Sequence, residues 1–164
     1  MLAQEFTQLF REEHRQVRDL LLDLQQAFER RDNTQAQQIV QRIAELTGPH
    51  FRYEEESVYP ALIGIFGEEY VSKLLSDHDR VIASARRLAA LAQTNPLGEA
   101  EVQEARALIR SVLPHVSDCD GLSIMVERLP EEQVSGILAT RAHALSEGID
   151  LMRWASEVRQ RRVN

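Results

Sequence analysis

Five histidines punctuate the chain, and four are spaced as if to meet: His14, His50, His78 and His115. The separations are 36 residues from His14 to His50 and 37 from His78 to His115. Helical apolar periodicity surrounds all four, so each sits on its own helix. His14 and His50 lie roughly 25 Å of helix from the turn between them, at 1.5 Å per residue. His78 and His115 stand at a similar distance from theirs. Two hairpins thus bring four imidazoles to one level. Four imidazoles buried together need a cation or carboxylate partners, and a metal held inside a helical bundle satisfies them with one assumption.

The carboxylates follow from helix geometry in PHFRYEEESVYP. Four residues on from His50, Glu54 shares its face to within about 40°. Glu55 is turned about 140° away, and Glu56 about 120° in the other sense. Glu54 is therefore the candidate carboxylate ligand, with Glu55 and Glu56 expected on a solvated face. Tyr53 is placed to reach the edge of the site with its hydroxyl. On the fourth helix, in PHVSDCDGLS, a regular helix aims Cys119 inward from His115. Asp120 requires local unwinding, such as a π turn, and Asp118 is a third possibility. His143 has no partner at matching depth and reads as a structural or surface residue.

The elements that position these residues are helices. Phe6, Phe10, Val17, Leu20, Leu21 and Leu24 stripe a first helix, about 4 to 31. Thr34 and Gln37 have the form of a capping box opening a second, which runs towards Leu62 with an irregularity expected at Gly48-Pro49. A third spans roughly 67 to 94, and Asn95-Pro96-Leu97-Gly98 is a turn. A fourth covers about 99 to 128, and a fifth about 131 to 160, with Pro130 near its start. The fold expected is an all-α, antiparallel up-down-up-down four-helix bundle, about 4–129, with an accessory C-terminal helix, together one domain over 1–164.

Composition narrows the function classes. The formal charge of −7 disfavours general nucleic-acid binding. The basic tail RQRRVN reads as cations complementing a helix dipole. The single cysteine, Cys119, allows no disulfide within the chain and suits a reducing compartment. The longest apolar run, ALIGIF, is far too short to cross a bilayer. A cytoplasmic protein without membrane or nucleic-acid partners is expected, with the fifth helix packing on the bundle or serving a homodimer.

The pieces EEHRQV, HFRYEEESVYPAL, SDHDRV and HVSDCD, in that order, resemble the hemerythrin-like, HHE cation-binding proteins over about residues 5 to 130. The resemblance implies a non-haem di-iron centre with two bridging carboxylates. Carried over by position, His14, His50, His78 and His115 are imidazole ligands and Glu54 one bridge. The oxygen-carrying members have H-x4-D on the fourth helix, which selects Asp120. The iron–sulfur cluster repair relatives have H-x3-E, and Cys119 occupies that position here. The oxygen carriers also have H-x3-H on the third helix, where this chain has Ile82 four residues after His78. That departure argues against reversible oxygen carriage. The resemblance implies iron that binds or reacts with O2, NO or peroxide. The alternative is a non-catalytic module holding one iron or a zinc.

Overall fold

A computed structural model describes residues 1–161, and all regular structure among them is helical. The long helices are α1 (Leu2–Glu29), α2 (Asn33–Tyr53), α4 (Glu68–Gln93) and α5 (Glu99–Asp120). The segment α3 (Tyr59–Phe66) links α2 to α4, and α6 (Leu122–Val126) follows α5. α1 packs against α2 and α5, and α4 packs against the same two, so the four close into a bundle. The C-terminal part is α7 (Glu131–Glu147), α8 (Leu151–Arg153) and a π turn, Trp154–Val158.

Local chemistry explains the helix ends. α1 stops at Arg31, which takes a left-handed φ of 56°. Asp32 then caps α2, its carboxylate accepting the Gln35 N–H at 3.0 Å. The cap is thus Asp32 rather than the expected Thr34, because α2 begins at Asn33, two residues earlier than expected. Asn33 Nδ2 donates to the Ala92 and Thr94 carbonyls at 3.1 and 2.6 Å. This ties the corner after α1 to the corner after α4, at one end of the bundle.

Two apolar clusters bracket the histidine level. One lies near those corners and includes Leu21, Leu24, Phe28, Leu88, Leu91 and Ile109. The other lies at the opposite end, with Phe6, Phe10, Tyr53, Tyr59, Leu62 and Ile137. Burying each large apolar side chain contributes about 1.5–3 kcal/mol, so both flanks of the polar layer are firmly held.

Two expectations about irregularity are corrected. α2 runs unbroken through Gly48 and Pro49, and the departure comes later, as a π turn over Glu54–Val58. There the Tyr59 N–H donates to the Glu54 carbonyl, five residues back. The expected continuous fifth helix over 131–160 is also divided. α7 ends at Gly148, whose φ of 57° is left-handed, and the chain turns before α8.

That turn crosses α2 at Gly48. A Cβ at Gly48 would stand 2.2 Å from the Ile149 carbonyl oxygen and 2.7 Å from the Leu151 nitrogen. Both are backbone atoms, so no rotamer change can make room. Gly48→Ala is expected to lower stability by about 1–3 kcal/mol, the usual cost of overpacking. Urea unfolding of the two proteins checks it; equal midpoints would show that the crossing has slack.

Candidate metal centre

Each of the four long helices contributes one imidazole to a common layer: His14 from α1, His50 from α2, His78 from α4 and His115 from α5. The first three are buried and His115 is partly so. The rings meet in pairs. The His14 and His50 centroids are 4.6 Å apart, and those of His78 and His115 are 5.0 Å apart. The pairs are those expected from the two hairpins.

Glu54 lies between them, fully buried. Its Oε1 is 3.4 Å from His50 Nε2 and its Oε2 is 3.1 Å from His78 Nε2. These contacts are close enough for charge pairing, yet neither oxygen is aligned for a hydrogen bond. A buried carboxylate normally satisfies its lone pairs. One that faces ring nitrogens without bonding them is arranged as a metal ligand would be.

The opposite edges of the rings are fixed. His14 Nδ1 donates to the Phe10 carbonyl at 2.8 Å. His50 Nδ1 donates to Glu13 Oε2 at 2.7 Å, and the Tyr53 hydroxyl donates to the same oxygen. His78 Nδ1 donates to Glu55 Oε1 at 2.8 Å. In each case Nδ1 is spent and Nε2 is left for the interior, the usual preparation of a metal-binding histidine. Phe51 stacks on His78 with centroids 3.9 Å apart and planes 7° from parallel, which holds that ring flat. The Tyr59 hydroxyl is 2.9 Å from His78 Nε2 and would have to yield that nitrogen to a cation.

The fourth helix keeps α geometry through Asp120, so the unwinding expected there does not occur. Cys119 consequently points inward, fully buried, with Sγ 3.5 Å from His115 Nε2. His14, Glu54 and Cys119 offer ligand atoms within 4.8 Å of one another. Asp120 lies at the margin. Its Oδ1 is buried without a partner, while its Oδ2 is 4.0 Å from Arg11 Nε. Asp118 is exposed beside an outer groove with Lys73 and Asp77. His143 is exposed as expected, 3.6 Å from Glu147.

The expectation that Glu55 is merely solvated is overturned. The π turn adds a residue to the turn, which swings Glu55 back beneath His78. Glu54 and Glu55 therefore hold the same imidazole from its two nitrogens. Glu56 does remain on the outside, 3.0 Å from Arg52. Glu13 was missed altogether, and so were the arginines behind the two outer carboxylates. Arg141 reaches Glu13 Oε1 with Nε at 2.8 Å and Nη2 at 2.5 Å. Arg159 forks onto Glu55 with Nε at 3.0 Å and Nη2 at 2.7 Å, and onto Asp79 with Nη1 at 2.8 Å. Arg159 and Arg161 are thus paired with carboxylates rather than complementing a helix dipole; the rest of the basic tail lies outside the described residues.

Residues 5–122 match the sequence profile described as "Hemerythrin HHE cation binding domain". The chain belongs to the hemerythrin HHE cation-binding family. No curated protein and no solved structure matches it. The family match spans all four core histidines, Glu54, Cys119 and Asp120, and stops before α7. Ile82, where the oxygen-carrying hemerythrins have a further histidine, is buried against Phe51, Leu151 and Trp154. Among the described residues, no helix is long and apolar enough to cross a membrane.

The charges in this hemerythrin site alternate. Burial opposes ionisation of His50, but Glu54 and Glu13 outweigh it and raise its pKa to about 10. His78 is raised against the same opposition by Glu54 and Glu55. His14 and His115 are each lowered to about 4, by burial first and then by the charged imidazole beside them. Each pair therefore sets one ring that favours its proton beside one that resists it. Stability follows by linkage. The contribution of His50 is complete below its unfolded pKa near 6.5 and is lost as pH rises towards 10. His14 and His115 work the other way: acid protonates them in the unfolded chain first, so stability falls between pH 6.5 and 4. Metal-free protein should melt at its highest temperature near pH 6.5–7, with losses on both sides. Thermal melts at constant ionic strength from pH 4 to 10 test this; a flat profile would refute the charge assignment.

Proposed function

We propose that the chain is a hemerythrin-like protein carrying a non-haem di-iron centre that binds or reacts with O2, NO or peroxide. The supporting observation is the position of Glu54 between two imidazole pairs, one oxygen towards each pair. In this reading His14, His50, His78 and His115 would hold the irons through neutral Nε2 atoms, with Glu54 and Asp120 as the carboxylates; the buried Oδ1 of Asp120 is without a partner. The four long helices run alternately up and down as one unit with the C-terminal segment. Iron bound there would supply one-electron redox chemistry and open coordination positions. The protein's own part is to hold the nitrogens, accept hydrogen bonds from Nδ1 of His50 and His78 at Glu13 and Glu55, and exclude water.

Exclusion has a visible basis. An apolar cavity of about 50 Å³ adjoins His14, His50 and His115 and is walled by residues such as Val17, Leu21, Ile43 and Leu88. About 10–15 Å³ would admit one water, but a lining this apolar gives it almost nothing to bond. It suits a small neutral molecule. In this reading the protein is cytoplasmic, and α7 is the surface through which two chains would pair.

The cluster of His14, Glu54 and Cys119 supports a second reading, a mononuclear iron or zinc site with a thiolate ligand. Burial and the Glu54 charge push the Cys119 thiol far above its ordinary pKa, so only a bound metal would ionise it. Metal analysis and visible spectra of reduced and air-exposed protein separate the two. About two irons per chain and an oxygen-dependent spectrum, lost in Asp120→Asn and kept in Cys119→Ala, is the expected result. One redox-silent metal, lost in Cys119→Ala, would establish the second reading instead. Because His50 and His78 must shed protons to bind, affinity should rise with pH through the neutral range.

A further inference from the structure

We propose that Arg141 and Arg159, both outside the family match, are positioning residues of the metal centre. They act through Glu13 and Glu55 to hold His50 and His78 with Nδ1 as donor and Nε2 turned inward. The proposal rests on the metal-binding reading above and names a role for the C-terminal segment within it.

The two chains of contact are built alike. Arg141 occupies Glu13 Oε1, which leaves Oε2 for His50 Nδ1 and the Tyr53 hydroxyl. Arg159 forks onto both oxygens of Glu55, whose Oε1 also receives His78 Nδ1. A planar guanidinium held at two points fixes the carboxylate's rotation as a lysine could not. Without it, Glu13 or Glu55 is free to turn towards water and release its imidazole. Arg159 is itself 3% exposed and locked by Asp79, so its own geometry is set.

The segment that carries the arginines is seated between these two points. Its backbone crosses α2 at Gly48, two residues from His50. Leu151 and Trp154 pack on Phe51, the ring stacked on His78, and on Ile82. Contacts at residues 48, 51 and 55 thus follow one side of the ligand-bearing stretch. A general surface strap would not need to end each reach on a carboxylate that holds a ligand's Nδ1.

The test uses full-length Arg141→Gln, Arg159→Gln and Arg159→Lys, with Arg153→Gln, an exposed residue paired with Glu157, as control. Proton NMR of metal-free protein reads the hydrogen-bonded Nδ1–H signals of His50 and His78. Anaerobic competition between a chelator and the protein for ferrous ion reads affinity. Arg141→Gln should abolish only the His50 signal and Arg159→Gln only that of His78. Each should weaken ferrous binding by roughly 10- to 100-fold, with partial recovery in Arg159→Lys and no change in the control. Unchanged signals, loss of both signals in either variant, or affinity within about two-fold of the parent would overturn the proposal. If the parent protein binds no ferrous ion, the metal reading falls. The selectivity of the two signals then decides the arginines' role alone: loss of only the His50 signal in Arg141→Gln and of only the His78 signal in Arg159→Gln upholds it, and any other pattern ends it.

Discussion

A carboxylate buried in the middle of a helical bundle is the constraint on which this structure depends. Glu54 is removed from water, and its two oxygens have no hydrogen bonds to replace it. An isolated charge there would be prohibitively costly. The fold answers with shells of alternating sign. The imidazoles of His50 and His78 surround Glu54, Glu13 and Glu55 surround them, and Arg141 and Arg159 close the outside. Asp79 and Arg161 extend the sequence to the surface on one side. Each layer makes the next one inward tolerable. Removing a single layer would strand the charges on either side of it, which is the expensive way to break a buried ion pair.

The apolar parts serve the same end. The clusters above and below the polar layer keep water from relieving it, while Phe10 and Phe51 press on the rings and limit their rotation. Hydrophobic packing alone would favour an uninterrupted α2. The π turn after Tyr53 gives up regular hydrogen bonding, and in return it places two successive glutamates on one imidazole. Such turns are frequent at functional sites.

Much of this was legible in the residues. Equal spacing of His14, His50, His78 and His115 from their turns indicated one layer, because helical rise converts sequence separation directly into height. The relation of His50 to Glu54 was readable because both lie before the π turn takes effect. Glu55 was misjudged because a fixed angle per residue was carried through a stretch that does not keep it. On α5 the error had the opposite sense: unwinding was expected at Asp120, and the helix stays regular. Glu13 and the two arginines left no periodic trace. They meet across 128 residues in one case and 104 in the other, and such pairings are set by tertiary packing rather than by local pattern.

Those long separations bear on how the molecule is made. A chain emerges from synthesis in order, and its early parts collapse first. All four core histidines and both outer glutamates precede α7, so the contacts of Arg141 with Glu13 and of Arg159 with Glu55 are the last of the polar layer that synthesis makes possible. The C-terminal segment is in this sense the keystone of the layer.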